Sequence, residues 1–138
     1  MIMRALPLAA LAFGLFIPGA ASAQAKDCAN ATTQLDMNVC AAAAQKSADQ
    51  QLNKTYNTLI ARIADQDAIA LLRNAEKAWL AYRDQECTFE TSMTVGGSVH
   101  PMMVAQCLEA KTRARTQELQ QLLNCQEGDL SCVPLKSP

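Results

Sequence analysis

WLAYRDQECTFETSMTVGGSVHPMMVAQC, from Trp79 to Cys107, is the stretch that decides the fold. At its centre Thr94-Val95-Gly96-Gly97-Ser98 forms the clearest helix breaker after the first two dozen residues. The residues before and after it carry helical spacing. If the chain turns back on itself at the glycine pair, residues equidistant from the turn come to face each other. Cys87 lies 10 residues before position 97 and Cys107 lies 10 after it. The register therefore predicts a Cys87–Cys107 disulfide clamping two antiparallel helices.

Working outward, the second helix starts at the Asp65-Gln66-Asp67 turn, where either aspartate is a suitable cap. It carries Leu72, Ala75, Trp79 and Tyr82 on one face and ends near Thr91. The third helix runs from about Pro101 to Leu123, with Leu108, Thr112, Arg115, Leu119 and Leu122 in steps of four and three. A first helix begins after Thr33, with Asp36 three residues on as a variant of the capping box, and runs to about Ala64. Leu52, Tyr56, Leu59 and Ile63 share one of its faces. Strand patterns and repeats are absent, so the class is an all-α antiparallel three-helix bundle stapled by disulfides. About Gln66, Asp49 lies 17 residues before and Arg83 lies 17 after. Both fall on inward faces, and a carboxylate and a guanidinium there predict a structural ion pair, because burying either alone is costly.

The first 23 residues read as a separate segment. Arg4 gives a charged start, Ala5 to Ile17 is an apolar run, and Pro18-Gly19 and Ala21-Ser22-Ala23 supply a break and a small-residue cleavage site. That is the layout of a secretory signal peptide, and the run is too short to span a bilayer. The expected organisation is a cleaved segment 1–23, a helical domain 24–124 and a tail 125–138. Ala25-Lys26-Asp27 precedes Cys28, so no lipobox is present, and the expected product is periplasmic or secreted without a membrane anchor. All six cysteines, an even number, follow residue 23 and read as a disulfide framework. Cys125 and Cys132 bracket one turn and are expected to pair, which leaves Cys28 with Cys40.

Residues 24–138 hold 11 basic and 13 acidic side chains, with no basic stripe to recruit nucleic acid. There is no CxxC pair and His100 is the sole histidine, so no metal site or cofactor is expected. Ser98 and His100 share a loop but lie two residues apart, without a third group to orient them as a catalytic pair. Gly96-Gly97 lacks the lysine and the preceding strand of a phosphate loop. These observations point away from an enzyme.

Several residues, read together, carry a resemblance. They are Cys28, Thr33-Gln34-Leu35-Asp36-Met37-Asn38-Val39-Cys40, Asp49, Leu52-Asn53, Tyr56, the block Trp79 to Cys87, Gly96-Gly97-Ser98, Cys107, Thr112, Arg115 and Leu119. In order and type they resemble the lysozyme inhibitor LprI N-terminal domain family of bacterial exported proteins, from about Cys28 to Leu123. The family's four usual cysteines map onto Cys28, Cys40, Cys87 and Cys107, with Cys125 and Cys132 as an addition. The resemblance implies an exported helical domain whose partner is lysozyme. On that expectation the loop Thr94, Gly96, Gly97, Ser98 and His100, pinned at its base by Cys87–Cys107, is the candidate partner-binding element. The rival expectation is a non-enzymatic interaction module of the envelope with another partner.

Overall fold

In a computed structural model, residues 27–126, 128–133 and 135–136 are described; the expected signal peptide lies outside them. Three helices follow one another: α1 (Gln34–Arg62), α2 (Gln66–Glu90) and α3 (His100–Leu123), with single 3-10 turns at Cys28–Asn30 and Ser92–Thr94. Their ends have local causes. The Thr33 hydroxyl accepts the Asp36 N–H at 3.1 Å, and the Asp65 carboxylate accepts from Asp67 and Ala68 at 2.7 and 3.4 Å. Each satisfies donors that an uncapped first turn leaves free. Pro101 sits in the first turn of α3, where no intrahelical N–H is needed.

The helices run up, down and up, so α1 and α3 are parallel, and α2 is antiparallel to both. Contacts from Gln34 to Met102 and from Asp49 to Thr112 ascend together along α1 and α3. These two helices make the closest pairing in the bundle. Small side chains allow it: Ala41, Ala48 and Thr55 on α1, and Ala105, Thr112 and Thr116 on α3, are buried at heptad spacing. The apolar core lies toward the α1–α2 turn, where Leu52, Leu59, Ile63, Ile69 and Leu119 cluster. Removing a side chain such as Leu59 or Leu119 from water contributes about 1.5–3 kcal/mol.

The face of α2 differs from the one its spacing predicts. Its buried residues are Ile69, Glu76, Arg83 and Cys87, with Leu72 and Trp79 alongside, whereas Ala75 and Tyr82 are exposed. Arg83 is inward as expected, and apolarity misleads because Glu76 joins it there, with Arg115 on α3 as its partner.

The segment after α3 returns to the core. Its chain is looped by Cys125–Cys132, Leu135 pairs in an antiparallel bridge with Ile63, and the Lys136 N–H donates to the Arg62 carbonyl at 2.7 Å. Arg62 Nε donates to the Lys136 carbonyl at 3.2 Å. One of the carbonyls that end α1 unpaired is thereby satisfied. Val133 and Leu135 pack against the core cluster, so this part of the expected tail serves as a lid on the bundle's end. The other two staples are Cys28–Cys40 and Cys87–Cys107, and no described cysteine is free.

Candidate functional site

Among the described residues, three places stand out in chemistry or shape. The first is the polar layer at mid-bundle. Arg83 on α2 donates from Nη1 to Asp49 Oδ1 on α1 and to Thr112 Oγ1 on α3, both at 2.9 Å, and from Nε to Asp84 Oδ1 at 2.9 Å. Thr112 Oγ1 also donates to Asp49 Oδ1 at 3.4 Å, which closes a triangle across three helices. Trp79 lies against two guanidinium groups, those of Arg83 and Arg115, at 5.4 and 5.8 Å from its ring centroid. Arg115 is bound by Glu76 at 3.0 Å and Glu118 at 2.8 Å. Burial opposes the Arg115 charge, but these hydrogen bonds outweigh it and hold the group above its ordinary pKa. Among the described residues no buried side-chain polar atom lacks a hydrogen-bond partner. A layer in which every group is spent on a neighbour holds helices in register and leaves nothing aimed at a ligand.

The second place is an apolar groove of about 250 Å³ lined by Leu59, Ile63, Leu71, Leu72, Leu122 and Val133. Its lining is almost wholly carbon, without the convergent polar groups that orient a small ligand.

The third place is the α2–α3 connection, and it is a built structure. The Thr91 N–H and hydroxyl both donate to the Cys87 carbonyl, at 3.1 and 2.7 Å. Thr94 Oγ1 donates to the Thr91 carbonyl at 2.7 Å and meets His100 Nδ1 at 2.7 Å. A hydroxyl has one proton, so Thr94 accepts from His100, which places a hydrogen on Nδ1. The Gly97 N–H donates to the Thr94 carbonyl and the His100 N–H to the Gly97 carbonyl, at 3.0 and 3.1 Å. Gly96 has φ +84°, a left-handed conformation that suits glycine, and a Cβ at Gly97 would lie 3.1 Å from the Thr94 carbonyl oxygen. From α1, Asn38 Nδ2 donates to the Ser98 carbonyl at 3.0 Å. The connection is thus tied to α1, closed by its own turns and clamped below by Cys87–Cys107.

The five residues proposed from sequence divide within this frame. Gly96, Gly97 and Ser98 lie at the surface, while Thr94 and His100 turn toward each other and hold the loop. The exposed apolar side chains of the connection were not among them. Met93 is 95% exposed and Val95 is 70% exposed. The available sequence signal was two apolar side chains beside a glycine turn with no helix face to bury them. Leu35 and Val39 on α1 add exposed apolar surface near the same end. Acidic side chains stand close by on α2: Glu86 and Glu90, the latter pairing with Lys111 at 3.1 Å and holding that ammonium above its ordinary pKa.

A family model described as lysozyme inhibitor LprI matches residues 25–119. An uncharacterized protein of Rhizobium meliloti (strain 1021) is 36% identical across an alignment of 123 residues, covering 80% of this chain and 88% of that one. No solved structure matches. The family match ends before Cys125, so the returning segment with its own disulfide lies outside it. Among the described residues no helix is long and apolar enough to cross a membrane.

Proposed function

This chain belongs to the lysozyme inhibitor LprI family, and from that premise we propose that it is an exported protein that binds lysozyme and blocks it with the α2–α3 end of the bundle. The observation that carries the reading is the pairing of exposed apolar side chains, Met93 and Val95, with a loop whose turns are closed by hydrogen bonds. Lysozyme cleaves glycan with two carboxylates in an open cleft, so occupying that cleft is enough to stop it, and no catalytic group is required of the inhibitor. A loop already held in shape loses little freedom on docking. Its protruding side chains are suited to fill a pocket as anchors, with Gly96, Gly97 and Ser98 presenting backbone groups around them. The acidic residues of the last α2 turns favour approach to a cationic partner. In this reading the polar layer and the three disulfides have an architectural role.

The test is clearing of a bacterial cell-wall suspension by a c-type lysozyme, with and without the oxidised protein lacking residues 1–23. Clearing should slow in proportion to the protein added and stop near equivalence. Unchanged clearing at micromolar protein would overturn the proposal and leave an envelope interaction module with another partner.

A further inference from the structure

The outward side of α2 carries an exposed seam, with the Lys111 ammonium 5.8 Å from the ring centroid of Tyr82 at its edge. Leu71, Ala75, Ala78, Tyr82, Gln85 and Phe89 follow one another in steps of four, three, four, three and four, and all six are exposed. That spacing is a coiled-coil contact line, and the buried lines of α1 and α3 use the same alternation to pack on each other. Leu71, Tyr82 and Phe89 are 70%, 56% and 74% exposed, although α2 already has a full inward face in Ile69, Leu72, Trp79, Arg83 and Cys87. We propose that this outward seam is where two copies of the chain pair, with their α2 helices antiparallel about a two-fold axis beside position 80.

The choice of a second copy rests on the symmetry of the seam. Leu71 and Phe89 are each nine residues from position 80, Ala75 and Gln85 five, and Ala78 and Tyr82 two. An antiparallel pair centred there sets Leu71 against Phe89 of the second copy, and Ala75 against its Gln85. The small Ala78 meets the large Tyr82, and Leu71 with Phe89 makes an apolar contact at each end. Such self-complementarity is what an isologous interface requires. The seam from 71 to 89 is about 27 Å long. The exposed parts of Phe89 and Tyr82 alone offer roughly 250 Å² per copy. With Leu71, the alanines and the flanks, the pair buries on the order of 1,000 Å² in total, the lower margin for a specific interface. A weak, concentration-dependent dimer is therefore the expected state. Antiparallel pairing also points the two α2–α3 ends in opposite directions, so both stay open to a partner.

Sedimentation equilibrium of the oxidised protein lacking residues 1–23 tests this, between roughly 1 µM and roughly 1 mM, a range suited to interfaces of this size. Weight-average mass should rise toward twice the monomer value. Leu71→Glu and Phe89→Lys are surface changes, and circular dichroism should show both variants folded. Each alone should remain monomeric where wild type has paired. An equimolar mixture of the two should pair again, because Glu at 71 then meets Lys at 89 across one end while Phe89 meets Leu71 across the other. A monomeric wild type throughout the range would overturn the proposal. So would single variants that pair as wild type does, or a mixture that stays monomeric. A monomeric wild type whose lysozyme affinity falls with Phe89→Lys would assign the seam to the enzyme instead.

Discussion

Replacing Asp49 by asparagine probes the layer that joins the three helices. Arg83 is the hub: its side chain is 10% exposed, and Asp49, Asp84 and Thr112 accept from it at 2.9 Å. Leaving a fully buried charge without a partner costs about 3–5 kcal/mol. Two features reduce that figure here. Asp84 still balances the guanidinium, and Asp49 is 35% exposed, which places its interaction partway toward the ~0.2–1 kcal/mol of surface pairs. Asp49→Asn should therefore destabilise the fold by about 1–2 kcal/mol. Arg83→Met removes the charge that needed balancing and fills similar space beside Trp79. The double variant should consequently recover about 1 kcal/mol relative to the sum of the two single losses. Arg83→Lys should not substitute, because one ammonium does not reproduce a planar fork bonded to three acceptors. Urea unfolding with the disulfides intact measures all four proteins, using midpoints at constant m-value. Additivity within roughly 0.3 kcal/mol would show that Asp49 and Arg83 are not energetically coupled and would refute the account of the layer.

Replacing Cys87 and Cys107 together by serine should cost about 2–4 kcal/mol in the same assay, because the staple closes a 20-residue separation at the base of the α2–α3 connection. Changing Met93 and Val95 together to serine should raise the inhibition constant for lysozyme by at least about tenfold while shifting stability by less than roughly 0.5 kcal/mol, since exposed side chains contribute little to folding. Equal inhibition by that variant would remove the tip from the contact. Hydrogen bonds from the Ser131 hydroxyl and N–H hold the Asp129 carboxylate below its ordinary value of 3.8. Because the folded value is the lower one, the turn's contribution is fully present above the ordinary value and is lost as pH falls through the folded one. Acid titration followed by carbon NMR should show this, with the Ser131 amide shifting in step with Asp129, and a Ser131 amide indifferent to that titration would contradict the assignment.

Helix positions were legible because their signals are local. Thr33, Asp65 and Pro101 act on the first turn that follows them, and Gly96-Gly97 acts on the turn it occupies. The Cys87–Cys107 pairing was legible for a related reason: one hairpin has one register, and counting from its turn finds opposite residues. The same count brought Asp49 and Arg83 into view, and they lie 2.9 Å apart. Thr112, the third member of that layer, escaped because a threonine on a helix gives no sign in sequence of which neighbour its hydroxyl will meet.

What the sequence by itself determined is therefore the inventory of helices, their order, their turns and the family to which the chain belongs. Only the tertiary structure decided which side of α2 faces inward. Apolarity favoured the side with Ala75 and Tyr82, yet Glu76 joins the expected Arg83 in the interior, because acceptors and donors on α1 and α3 offset the loss of water for those charges. It also decided that Val133 and Leu135 belong to the core, and that Met93 and Val95, rather than Thr94 and His100, protrude from the loop. In each case the outcome depends on groups distant in sequence arriving at one place. Hydrophobicity and spacing describe what a residue tends to do along its own helix, and they carry no record of what the rest of the chain will bring to meet it.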